Sequence, residues 1–112
     1  MPQPSLPIVF GALADPTRLA IVERLLADGE ISAGEIARPF AMSKPAVSKH
    51  LRVLEAAGLI ERRVERQWRL CRIRPDAIRA VNDWVERYRA FWAGSFDRLD
   101  KLLTRDQSDD PN

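Results

Sequence analysis

The chain has 112 residues, 46% of them hydrophobic and 30% charged, with 18 Lys and Arg against 16 Asp and Glu. That length accommodates one domain of ordinary globular composition, and no apolar run approaches the roughly 20 residues that span a bilayer. A lone cysteine, Cys71, excludes an intrachain disulfide and cannot by itself build a zinc site, so packing must hold the fold. The first residues, Met1 to Pro7, lack a basic segment followed by an apolar stretch and cleavage site, so the expected location is the cytoplasm. The net charge of +2 hides an uneven distribution: residues 1–39 balance to −2, residues 40–74 to +6 and residues 75–112 to −2. A basic block between acidic flanks suits a polyanion-binding face, and equally an arginine-rich surface facing water.

In chain order, Ser5 can cap a short helix running to Leu13, with Pro7 tolerated in its first turn. Asp15-Pro16 starts a second helix, on which Leu19, Val22 and Leu26 recur at helical spacing until Asp28-Gly29. Ser32-Ala33-Gly34-Glu35 has capping-box spacing, Ser32 accepting from the Glu35 amide and the Glu35 side chain reaching back. Pro39 should end this third helix within a residue or two of Phe40. Ser43 caps a fourth helix with Pro45 in its first turn and Gly58 as its left-handed stop. The three residues Ala41-Met42-Ser43 between these helices match the turn of a helix-turn-helix. Leu59–Val64 and Trp68–Ile73 then read as two strands of a wing around a three-residue loop, Glu65-Arg66-Gln67, with its inward face left open.

From Pro75 to about Leu103 the pattern is helical, with Ile78, Val81, Val85, Tyr88, Trp92, Leu99 and Leu102 at alternating spacings of three and four. Ser95 is the polar member of that seam, and Trp84 and Phe91 form an offset second set. The expected fold is mainly α with a small β-hairpin: about five helices and a two-stranded wing over residues 1–103, then an acidic disordered tail over 104–112.

At 100° per residue from Lys44, the fourth helix divides into two arcs. Lys44, Pro45, Ser48, Lys49, Arg52 and Glu55 fall between about 0° and 140°, whereas Ala46, Val47, His50, Leu51, Leu54 and Ala57 fall between about 200° and 340°. One face packs, and the other is cationic. Lys44, Ser48 and Lys49 are candidates for base edges, supported by Ser43, Pro45 and Arg52 on the same helix. Arg66 and Gln67 at the wing tip can reach phosphates or the minor groove, and Arg62 and Arg63 flank them. For arginines away from the tip, pairing with Glu61 or Glu65 competes with that role. His50 lies at the edge of the apolar arc and is a secondary candidate beside a packed, backbone-bonded reading. Cys71 reads as an inert small hydrophobe, and Trp68, Trp84 and Trp92 as core or interface residues.

The run from Met42 to Ile60, together with Asp15-Pro16-Thr17-Arg18-Leu19, resembles the ArsR/SmtB family of bacterial repressors over about residues 6–100. The resemblance implies a winged helix-turn-helix homodimer whose first and last helices pair across a two-fold axis. Leu6, Ile8 and Val9 on the first helix and the seam on the last are then interface candidates. It also implies that the fourth helix reads double-stranded DNA. Metal sites of that family use cysteines in or near the reading head, or His with Asp or Glu on the last helix. Here residues 35–40 hold no Cys and residues 75–103 no His. Asp76, Asp83 and Glu86 offer only hard oxygen ligands. The chain therefore looks like the non-metal subgroup: no metal, no cofactor, and an unidentified small-molecule or protein effector. With one imidazole, a lone thiol and no phosphate loop, an enzyme is not expected. The competing reading is a winged-helix module that binds an acidic protein partner without specific DNA binding.

Overall fold

The computed structural model describes residues 4–108. Contacts within the chain define two units, Met1–Ala80 and Val81–Asn112. In chain order the elements are α1 (Leu6–Leu13), α2 (Pro16–Asp28), β1 (Ile31–Ser32), α3 (Ala33–Ala37), α4 (Lys44–Ala56), β2 (Ile60–Glu65), β3 (Trp68–Ile73) and α5 (Pro75–Ser108). No helix among the described residues is long and apolar enough to cross a membrane.

Local chemistry sets most helix ends. The Asp15 carboxylate accepts from the Arg18 amide at 3.0 Å, and Pro16 presets the first turn of α2. The Ser32 hydroxyl accepts from the Glu35 amide at 3.2 Å. The reciprocal half of the expected capping box is replaced, because the Glu35 carboxylate binds Arg38 instead. α3 ends at Ala37, earlier than the sequence suggests, so Arg38–Ser43 connects it to α4 in place of a three-residue turn. Pro39 has no amide to return to the Glu35 carbonyl. Arg24 Nη1 donates to that carbonyl at 2.7 Å, and the Phe40 amide closes onto Ala37 at 3.1 Å.

α4 stops where expected. Gly58 takes φ 80°, its amide bonds the Glu55 carbonyl and the Leu59 amide bonds the Leu54 carbonyl, each at 3.0 Å. This is the Schellman arrangement, and its apolar contact is supplied by Leu54 and Leu59, both fully buried.

The sheet has three strands in the order β1-β3-β2, all antiparallel. β1, absent from the sequence reading, pairs Ile31 with Cys71 and Ser32 with Leu70. In the hairpin, Glu65 pairs with Trp68, so the loop is two residues, Arg66-Gln67, with Arg66 at φ 58°. The register settles the faces: Ile60, Arg62 and Val64 share one with Ile73, Cys71 and Arg69. The core of the first unit joins Val9, Ile21, Leu25, Ile36, Leu51, Leu54, Leu59, Ile60 and Cys71, all essentially inaccessible. Each side chain of this size contributes about 1.5–3 kcal/mol by leaving water.

In the second unit, α5 continues as a helix to Ser108, past the expected end near Leu103; residues 109–112 lie outside the described residues. Its aromatic residues form a continuous ladder. Trp84 stacks on Tyr88 at 5.5 Å, Tyr88 meets Trp92 edge-on at 5.7 Å, and Trp92 lies 5.8 Å from Phe96. Phe91 joins Tyr88 and Trp92, so the two sets separated by spacing alone merge into one exposed surface.

Candidate nucleic-acid interface

The two-arc division of α4 holds in three dimensions. Val47, Leu51 and Leu54 are buried, while Lys44, Pro45, Lys49 and Arg52 are exposed and Ser48 is half-buried at the border. The helix is held by its start as well as its seam, since the Ser43 hydroxyl accepts from the Ala46 amide at 3.2 Å. Ser43 is thus the N-cap of α4, and a hydroxyl in this position has one lone pair committed to the helix.

The basic residues separate into two groups. Among the described residues, no hydrogen bond or ion pair within the chain engages Lys44, Lys49, Arg52, Arg66 or Arg69. By contrast, Arg62 donates to Glu55 at 3.0 Å, and Arg63 grips Glu30 with two bonds of 2.9 and 2.7 Å while also lying 3.2 Å from Glu65. Arg72 pairs with its cross-strand neighbour Glu61. The Arg63 hydrogen bond holds the Glu30 carboxyl below its ordinary pKa, and Glu30 in turn raises that of Arg63. Arg62 and Arg63, read from the sequence as DNA contacts, are therefore tied to carboxylates of their own chain. Arg69, which the sequence places beside the hairpin with Arg62 and Arg63, has no such tether among the described residues, and the cross-strand register sets it on the face of Val64 and Arg62.

His50 also has structural company. Its Nδ1 lies 3.3 Å from Arg18 Nη1 and 3.8 Å from Asp15 Oδ2. A guanidinium can only donate, so this contact is a hydrogen bond in the tautomer that leaves Nδ1 free to accept. Arg18 also donates from Nε to the Ala12 carbonyl at 2.7 Å, linking the end of α1, the start of α2 and the middle of α4. His50 is half-buried and turned to this network, in keeping with its place at the edge of the apolar arc.

The wing tip carries Arg66 and Gln67, both exposed, beside Val64 and Trp68. Trp68 is 55% exposed, so it belongs to the tip and not to a core. Cys71 is sealed in the sheet and burial pushes its thiol pKa up, which disfavours a reactive thiolate. Of the interface candidates on α1, Ile8 is exposed and Leu6 half-buried, but Val9 is fully buried and has no surface to offer a partner. On α5, Ile78 and Val81 are half-buried, and Val85, Tyr88, Trp92, Leu99 and Leu102 are exposed. No group of three or more His, Cys, Asp or Glu that could hold a metal ion occurs among the described residues.

Comparison with known proteins places this geometry. A helix-turn-helix domain family matches residues 13–63, which hold α2 through most of β2. The chain is 39% identical over 98 residues to the HTH-type transcriptional regulator Rv2034 of Mycobacterium tuberculosis, covering 88% of each chain. A crystal structure of the ArsR family transcriptional regulator RHA00566 superposes with a TM-score of 0.70 at 36% identity, over 79% of this chain and 90% of that one. The homodimeric winged helix-turn-helix domain of Mb0332 from Mycobacterium bovis, a possible ArsR-family regulator, gives a TM-score of 0.60 at 32% identity, over 76% and 81%. With its winged helix-turn-helix and these relatives, the chain belongs to the ArsR family of DNA-binding transcriptional regulators.

Proposed function

We propose that the protein is a repressor that binds an inverted-repeat operator as a homodimer in the bacterial cytoplasm. The observation that carries this reading is the exposed face of α4, where Lys44, Lys49 and Arg52 stand without internal partners on a helix anchored by Val47, Leu51 and Leu54. Cations already neutralised by the chain's own carboxylates gain little from a phosphate, whereas free ones release counterions on binding and give much of the affinity for duplex DNA. On a helix that fits the major groove, Lys44, Ser48 and Lys49 contact base edges, while Arg52, Arg66 and Gln67 contact backbone or minor groove.

Dimerisation is proposed through the apolar face of α5, whose Tyr88, Trp92, Leu99 and Leu102 side chains are 42–57% exposed in a single chain. A two-fold then sets the half-sites about 34 Å apart, one helical turn of DNA. The lack of Cys in residues 35–40 and of His in residues 75–103, where family metal ligands would stand, is the ground for proposing a non-metal regulator within the family. Footprinting and mobility-shift titration on DNA upstream of the protein's own gene test the proposal. A protected inverted repeat with steep salt dependence is expected; binding with no sequence preference, or none at physiological salt, would refute it and favour a protein-binding module.

A further inference from the structure

α4 meets the rest of the first unit along a narrow seam. At 100° per residue from Lys44, the buried Leu54, Val47 and Leu51 fall at about 280°, 300° and 340°, an arc of about 60°. Each edge of that seam carries a polar tie. On one edge His50, at about 240°, has its Nδ1 3.3 Å from Nη1 of Arg18 on α2. On the other, Glu55, at about 20°, accepts from Arg62 of β2 at 3.0 Å.

Hydrophobic attraction has no preferred direction, and a seam this narrow permits small rotations of the helix about its axis. A hydrogen bond weakens steeply off its line, so ties on both edges resist that rotation. The rotation matters for reading bases. At the roughly 5–6 Å radius of a helix with its side chains, a roll of about 10° moves a side chain by about 1 Å. A shift of that size spoils a hydrogen bond to a base edge.

Arg18 is itself held in place. Its amide donates to Asp15 at 3.0 Å, and its Nε donates to the Ala12 carbonyl at 2.7 Å. That carbonyl lies in the last turn of α1, and the residue four positions on is Pro16, which has no amide hydrogen to offer it. With Nε committed, the orientation of the planar guanidinium is set, and Nη1 faces His50.

We propose that Arg18 is a positioning residue for DNA reading: acting through His50, it sets the roll of α4 and so the aim of Lys44, Ser48 and Lys49, with the Glu55–Arg62 pair as its counterpart on the other edge. The proposal rests on the reading above in which α4 contacts base edges. His50 lies about 170° around the helix from the middle of the cationic arc, so it acts on DNA only through the helix.

The test compares a duplex selected by the wild-type chain from a random pool with a scrambled duplex of equal length, at a temperature where circular dichroism shows every variant folded. His50→Leu removes the acceptor and is expected to weaken the selected duplex about tenfold while changing the scrambled one less than about twofold. His50→Asn places a carbonyl oxygen where Nδ1 stands and should restore most of that ratio. Leu is the better helix former of the two, so a role in helix stability alone predicts the opposite order. Arg18→Lys keeps the charge but lacks the fork that holds Ala12 and His50 together. It should lower the ratio as His50→Leu does, and the double variant should lose no more than either alone. An unchanged ratio in His50→Leu, no recovery in His50→Asn, or losses that add in the double variant would overturn the positioning role while leaving base reading by α4 intact. A wild type that selects no sequence from the pool would refute base reading itself, and the role with it.

Discussion

Arg63 on β2 closes a two-pronged ion pair on Glu30, Nε to Oε2 at 2.9 Å and Nη2 to Oε1 at 2.7 Å, fastening the wing to the residue that precedes β1. The pair makes Arg63 a fastening of the wing before it is anything else. Arg63→Gln is expected to lower the melting temperature slightly and to cost less DNA affinity than Arg66→Gln, whose side chain has no internal partner among the described residues. Thermal melts beside operator titrations of the two variants check this. The pH dependence has a definite sign. Glu30 has its folded pKa held below the ordinary 4.5, so its contribution to stability is present above that value and is lost as pH falls through the folded pKa. Glu30→Gln should flatten the acid limb of the melting curve, and an unchanged limb would show that the pair contributes nothing.

Ser43 caps α4 through the Ala46 amide. Ser43→Ala is expected to cost about 0.5–2 kcal/mol of folding stability, and Ser43→Asn, which restores an acceptor at that position, should recover most of it. Denaturant melts of both variants decide the matter. Loss of operator affinity in the asparagine variant without loss of stability would instead mean that the hydroxyl touches DNA directly.

Lys49 and Arg66 should differ in what they do to DNA. Lys49→Ala is expected to weaken operator binding by about 1–3 kcal/mol while sparing unrelated duplexes, and Arg66→Ala to weaken all duplexes nearly alike and to reduce the salt slope by about one. Competition titrations across salt separate the two outcomes. Equal losses for Lys49→Ala on every duplex would remove it from base reading.

Trp92 sits in the aromatic ladder of α5, in contact with Tyr88, Phe91 and Phe96, yet is 42% exposed. If α5 is the dimer seam, Trp92→Glu places a charge where apolar surface should be buried and shifts the chain to monomer, with the first unit still folded. Sedimentation velocity reads the mass and circular dichroism the fold. A dimer of unchanged stability would move the interface elsewhere.

Helix starts and the α4 stop were legible because their causes lie within a few residues. Asp15-Pro16, Ser32, Ser43 and Gly58 act through bonds to amides and carbonyls three to five positions away. The two faces of α4 were legible for the same reason, since 100° per residue is a property of the helix alone. By the same logic Val9 escaped, because apolar spacing on an eight-residue helix cannot distinguish a side chain buried in its own core from one reserved for a partner.

What only the tertiary structure decided are relations between residues distant in sequence. β1 exists because Cys71 and Leu70 lie beside Ile31 and Ser32, a pairing that no local propensity announces for two residues between Glu30 and a helix cap. Which wing arginines are spent internally depends on Glu30 and Glu55 arriving at the wing from elsewhere in the chain. The cationic face of α4 was thus written in the sequence, whereas the division of its neighbours into tethered and free cations came from packing. Coulomb pairing and excluded volume depend on distances in space, and sequence spacing sets those only within an element.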